Sequence, residues 1–535
     1  MVADRRTNRA LEARDKEVVD LNTSSLPIAL NGEKKESLLV LKEYADFWKI
    51  PYTLGQANGE KTTTVLSTEH PGNVSSERSS LIITPLTQDG FKKVAQTYNL
   101  GLSSRKAIIS LPVTKDVAVS LSTTINQFHG PRIEPLITSM GVTILSRIAG
   151  TQIHLLSLDL VNEYTSRISA GLEDPPSVRF RLLSMLPGSY RHVPRLIRDR
   201  AFRSFQGLPE IPEYRLGPIE CLRTIFLASI VTVSERPITK LGFWRQGKTY
   251  ALSLTHDVET RAGLEKGAKT MLEVERELGV RSTWNLQSDG YPLDRTVMAS
   301  LAEWGEVGSH DTVHDGRLAF LKFDEKVERL KRCREKLELA GGTRVRGFRA
   351  PLLQHSRELL SAACKAGYEF DSSVPSWEFL SPTSLKPHGV GTVFPFYING
   401  ILEIPVSLPQ DHQLLRVKGL GPRETVDHIL QSCRWVRSLG GSCVVLVHPD
   451  YELGSEENIA NYQRLVNVFQ KDSECDVMTL GELSRWWKRR SDAYVDSSGD
   501  KLFVRSDSLN GQEDDFALQM ITGFDDKGFK MEEIS

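Results

Sequence analysis

Paired cysteines are missing from this chain: its six cysteines are scattered over 535 residues and none forms a Cys-x-x-Cys motif. Cys221, Cys333, Cys364, Cys433, Cys443 and Cys475 therefore read as small buried thiols in a reducing compartment, not as a disulfide framework. A surplus of charge is missing too. With a formal net charge of −1, nothing electrostatic points to a polyanionic partner, and no nucleic acid is expected. Long hydrophobic runs are also absent. The most apolar stretch, Leu222 to Val233, is interrupted by Arg223 and falls short of the roughly 20 apolar residues that cross a bilayer, so no integral membrane segment is expected. The opening Met1-Val-Ala-Asp-Arg-Arg-Thr-Asn-Arg has charge but no apolar stretch behind it, which predicts a cytoplasmic protein. Neither a P-loop nor a Rossmann glycine fingerprint occurs.

What is present is ordinary globular material, 40% hydrophobic and 25% charged, in a length that predicts two or three domains. Residues 1–35 are polar and read as a mobile arm. Residues 36–175 read as a small, separate N-terminal α/β domain of unassigned role. Its predicted strands are Ser37–Leu41, Ser80–Pro85, Lys106–Pro112 and Gly150–Asp159, with helices over 42–49 and 87–98. Residues 176–244 read as a mainly helical connector, including a helix over 214–233. The basic run Arg191, Arg195, Arg198, Arg200 and Arg203 in it is most simply a solvated helix face. Residues 491–535 form an acidic C-terminal appendage with β-like pieces such as Lys501–Arg505.

Between them, residues 245–490 alternate strand and helix patterns. Strands are predicted at 249–255, 281–285, 306–309, 344–349, 368–372, 402–408, 442–447 and 476–479, and helices at 260–278, 323–339, 422–439 and 456–470. This repetition over about 240 residues matches a (β/α) barrel, a fold that places its chemistry at the C-terminal ends of strands.

The chemically interesting residues sit at those ends. Leu252-Ser-Leu-Thr-His256-Asp257-Val-Glu259 runs an apolar strand into an imidazole and two carboxylates. Gly308-Ser-His310-Asp-Thr-Val-His314 sets two histidines four apart, a spacing that puts both on one face of a helical turn and lets them meet one ion. A carboxylate from the first cluster would complete a two-histidine, one-carboxylate set that leaves coordination positions open. Arg346-Gly-Phe-Arg349-Ala-Pro351 offers a guanidinium able to grip a carboxylate. Phe370-Asp371-Ser-Ser-Val-Pro-Ser-Trp377 follows, and Val444-Val-Leu-Val-His448-Pro delivers one histidine as a general acid. Pro409-Gln-Asp411-His412 offers polar groups to a pocket.

In this order the clusters resemble the polysaccharide deacetylase family, the NodB-homology domains of carbohydrate esterase family four, over roughly residues 245–490. The resemblance implies a distorted (β/α) barrel catalytic domain holding one divalent metal ion, most simply zinc, that removes N-acetyl groups from a sugar or glycan. It implies Asp257, His310 and His314 as metal ligands and Arg349 as the residue orienting the base. It implies that Asp371 and Trp377 shape the substrate pocket, to which Asp411 is added as a separate candidate, and that His448 is the acid. The family's first aspartate is replaced by His256, so the base is left among His256, Glu259 and Asp311. The lost aspartate also leaves open a silent glycan-binding or scaffold protein on the same barrel.

Overall fold

The computed structural model describes residues 19–20, 28–32, 34–54, 64–68, 80–185, 217–234, 236–450, 452–498, 501–506 and 516–534. The basic run from Arg191 to Arg203 lies outside them. The chain divides into two compact units, one of Met1–Ser166, Gly217–Gln246 and Lys488–Ser535, the other of Arg167–Leu216 and Gly247–Trp487. The segment read from sequence as connector is thus split, 176–216 falling in the second unit and 217–244 in the first, and the C-terminal appendage falls in the first.

In that first unit a seven-stranded sheet runs in the order 52–54, 28–31, 64–67, 80–83, 153–156, 142–148 and 133–139. Its first five strands are mutually parallel and its last two pairings are antiparallel. The expected strand at Ser37–Leu41 is instead part of the helix Lys35–Trp48. Buried Ser37, Leu41, Tyr44, Ala45 and Trp48 recur at helical spacing, while Leu39 within the apolar run is 54% exposed. The helical period of the longer segment wins over the short run. The expected parallel strand at 106–112 belongs to a long antiparallel hairpin, Gly101–Thr114 with Val117–His129. Ile238–Arg245 pairs with Phe516–Asp525, which pairs with Gly528–Ile534.

The second unit is mixed α/β. We number its strands β1 (Tyr250–Val258), β2 (Ser282–Leu286), β3 (Glu306–Ser309), β4 (Gly347–Phe348), β5 (Phe370–Asp371), β6 (Phe396–Ile398), β7 (Ile401–Glu403), β8 (Ser442–Val447) and β9 (Cys475–Val477). The sheet order is β6-β7-β5-β4-β3-β2-β1-β8, with β9 also on β1. Every pairing is parallel except the β6–β7 hairpin. Across the edge left between β7 and β8, Ser407 Oγ accepts from Val444 N and donates to Ser442 O. The helices between strands are α1 (Ala268–Leu278), α2 (Arg295–Trp304), α3 (Phe323–Gly341), α4 (Arg357–Lys365), α5 (Pro422–Ser438) and α6 (Ile459–Gln470). All residues of β1 and of β8 are buried, as expected of parallel strands covered on both faces. Because these strands are parallel, their C-terminal ends share one edge, and Asp257, His310, Arg349 and His448 all arrive there. No helix among the described residues is long and apolar enough to cross a membrane.

Candidate metal centre and acid–base groups

Alternation along β1 decides what the first cluster does. In a strand successive side chains point to opposite faces, so Thr255, Asp257 and Glu259 face one way and His256 the other. His256 is fully buried among the helices: its Nδ1 lies 3.1 Å from Val447 O, its Nε2 is 2.8 Å from Glu275 on α1 and 3.3 Å from Tyr462 on α6, and its ring packs on Trp284. The assignment of His256 as base is therefore corrected. It turns its back on the site and ties β1 to its covering helices.

The carboxylate that joins the two imidazoles is that of Glu259. Ligand atoms of Glu259, His310 and His314 all lie within 4.8 Å of one another, and His314 Nε2 is 3.1 Å from Glu259 Oε1. Asp257 is not a member of that set. Its Oδ2 lies 3.9 Å from His310 Nδ1, the nitrogen already committed to Arg349 O at 2.9 Å. The candidate metal set expected from sequence, Asp257, His310 and His314, is thus revised to the candidate set Glu259, His310 and His314. The loop geometry is revised as well. Residues 310–315 form no helical turn but an irregular loop, with Asp311 in the left-handed region at φ 67°.

This donor set fits a divalent cation. His310 Nε2 is buried without a hydrogen-bond partner, a costly state for a polar atom unless something binds it. Burial lowers His310 to about 4, keeping the imidazole neutral as a metal ligand must be. Burial works to raise Glu259, yet His314, then His448 and His310, hold it well below the usual carboxylate range. Two imidazole nitrogens and one carboxylate oxygen suit zinc and leave room for water and substrate.

Asp257 has other partners. It accepts 2.8 Å from Asn285 Nδ2 and faces Arg349 Nη1 at 3.5 Å. Burial opposes its ionisation, but His310, Arg349, His448 and the Asn285 amide together hold it below its ordinary value. Arg349 is itself fully buried and fixed by Ser372 O, Ser372 Oγ and Thr255 Oγ1, each at 2.7 Å. Asn285 owes its place to Gly308, where a Cβ would fall 2.3 Å from its Oδ1.

On the other side stands His448. Its Nδ1 is 2.7 Å from Asp411 Oδ1 and its Nε2 lies 3.9 Å from Glu259. Burial alone would lower it. Asp411, by charge and by hydrogen bond, and then Glu259 and Glu452 lift it well above the ordinary imidazole value. Asp411 is fully buried and also accepts from His448 N and Leu453 N, so its expected role in the substrate pocket is corrected to one behind His448. Asp371 changes role in the same way. It is buried and accepts from Ser373 N and Oγ, while Ser373 Oγ receives Ala350 N beside Arg349. It braces the arginine loop and does not line a pocket. Trp377 is half-buried. Asp311 is buried against Arg329, which removes it as a base.

Gln287 was not singled out from the sequence. At the end of β2 its fully buried amide donates to Glu259 O at 3.1 Å and accepts from His314 N at 3.1 Å. One side chain thus links two residues of the metal set. A Cβ at Gly290 would fall 2.0 Å from Gln287 Oε1, so the amide needs a glycine there. A polar residue closing a buried strand was the available signal.

No family model and no curated relative matches the chain. Solved structures similar to part of it include a Mycobacterium smegmatis protein assigned as a polysaccharide deacetylase, at 18% identity and TM-score 0.40, covering 46% of this chain and 92% of that one. Puue allantoinase matches at 15% identity and TM-score 0.36, with 46% and 92% covered. A CE4 family pseudoenzyme from Bacillus anthracis matches at 16% identity and TM-score 0.30, with 44% and 66% covered.

Proposed function

We propose that the second unit is a distorted (β/α) barrel that hydrolyses the acetamido group of an N-acetylated sugar or glycan, with Glu259, His310 and His314 holding one divalent cation, most simply zinc. The observation that carries this reading is the placement of a carboxylate held ionised, Asp257, and an imidazole held protonated, His448, around one metal-ligand set. Two titratable groups driven in opposite directions are what acid–base chemistry near neutrality requires. When bound, the cation supplies Lewis acidity toward the acetyl carbonyl and its attacking water.

The chain's own residues do the rest. Asp257 takes the proton of the attacking water, with Arg349 and Asn285 aiming its carboxylate. His448, kept protonated by Asp411, gives a proton to the departing amine, which would otherwise leave as an anion. Glu259 keeps its negative charge for the cation, and Gln287 holds it in register with His314.

A silent glycan-binding protein was suggested by the lack of an aspartate at position 256. With Asp257 beside Arg349 and Glu259 among the imidazoles, both required carboxylates are present, which supports catalysis instead. The test is acetate release from a panel of N-acetylated glycans and nucleotide sugars by the zinc-loaded protein. Release that stops with chelator, and in Asp257→Ala and His448→Ala, supports the reading; no release from any substrate overturns it.

A further inference from the structure

We infer that Arg329, on α3, is a positioning residue that presets the His310–His314 loop for its cation. This inference rests on the metal-site reading above and deepens it. The loop has no helical hydrogen bonds of its own, and its residues divide between two sides. His310 and His314 face the site, whereas Asp311, Val313 and Asp315 face Arg329.

The guanidinium meets all of them. Its Nε donates to Asp311 Oδ1 at 2.8 Å and its Nη2 to Asp311 Oδ2 at 2.7 Å, a two-pronged grip. Nη2 also reaches Val313 O at 3.0 Å and Asp315 Oδ1 at 2.9 Å, and Nη1 reaches Asp315 Oδ2 at 3.2 Å. Asp311 directly follows His310 and Asp315 directly follows His314, so one rigid planar group fixes the neighbour of each ligand imidazole. The grip has something to hold. Asp311 adopts φ 67°, a conformation that non-glycine residues keep only when their surroundings impose it. Its carboxylate is 1% exposed, so without the guanidinium a buried charge would keep only the backbone N–H and hydroxyl of Thr312 and would face the Asp315 carboxylate.

Lysine is a poor substitute, because a single ammonium cannot fork onto two carboxylates and a carbonyl at once. A loop freed of Arg329 would have to be ordered at the moment of metal binding, and that ordering reduces affinity.

The experiment uses the full-length chain, stripped of metal and titrated with zinc in competition with a chromogenic chelator. Arg329→Met is expected to weaken zinc binding by about 10–100-fold, the usual loss when a supporting partner of a metal ligand goes. Arg329→Lys should recover part of that loss. Arg332→Met, which removes a 59% exposed side chain from the same helix, should leave affinity unchanged. Thermal melting of the metal-free proteins is the control for simple destabilisation. If Arg329→Met does not fold, Asp315→Asn replaces it as the deciding variant, keeping the Asp311 grip and weakening zinc binding by about 10-fold. Zinc binding within about twofold of wild type in Arg329→Met, or in Asp315→Asn where that variant replaces it, overturns the inference. Failure of the wild-type chain to bind zinc at all overturns the metal-site reading itself, a result distinct from the other.

Discussion

Asp257 and Glu259 stand on the same face at one strand end, yet they reach different partners: Asp257 faces Arg349 at 3.5 Å, and Glu259 faces His314 at 3.1 Å. Their separation into a base and a ligand is directly testable. Glu259→Gln should lose zinc binding, measured by calorimetry. Asp257→Asn should keep the metal and lose about 10²–10⁴-fold in kcat, the range of a general base. Equal loss of zinc in both variants would refute the division.

His448 depends on Asp411 for its proton. Removing that charge with Asp411→Asn takes away the main influence that raises the imidazole, so its titration moves down. An acid must be protonated to act, so the alkaline limb of kcat/KM against pH should move to lower pH in the variant. An unmoved limb would mean that another group gives the proton.

The Gln287 amide should matter to metal and fold alike. Gln287→Leu leaves the buried His314 N–H without its acceptor, a cost of about 1–3 kcal/mol, visible as a lower Tm. Gln287→Glu keeps that acceptor but sets a carboxylate against Glu259 O, and should weaken zinc further than its effect on Tm accounts for.

His256 is expected to be structural. His256→Asn should lower Tm, since Glu275 and Tyr462 lose a buried partner, on the order of 2 kcal/mol. The pH optimum of acetate release should stay where it is. A displaced optimum would return His256 to the acid–base machinery.

Much of the second unit could be read from the chain. The strands at 306–309 and 442–447 stand where they were expected; in Ser442–Val447 a strand buried on both faces writes its length in Val, Leu and Cys. The helices α2 and α4 were not read. Each begins on a capping residue, Asp294 accepting from Thr296 N and Val297 N, and Ser356 accepting from Leu359 N, and those caps were the available signal. At the site Gln287 and Asn285 were missed, and among the residues that were named the roles were crossed. Period-two alternation was enough to set His256 apart from Asp257 and Glu259, since it follows from backbone geometry alone. The burial of Asp371 and Asp411 could not be read in this way. It depends on Ser373 and on Leu453, whose positions follow from tertiary packing.

β1 is flanked by β2 and by β8, and His256 on β1 contacts Val447, 191 residues downstream. Such a distant pairing closes late, after the intervening chain has been ordered. A ribosome would therefore deliver Asp257, Glu259, His310 and His314 well before His448, the residue proposed as proton donor. Under the proposed function, the group that gives the proton is thus the last of the site's side chains to be synthesised.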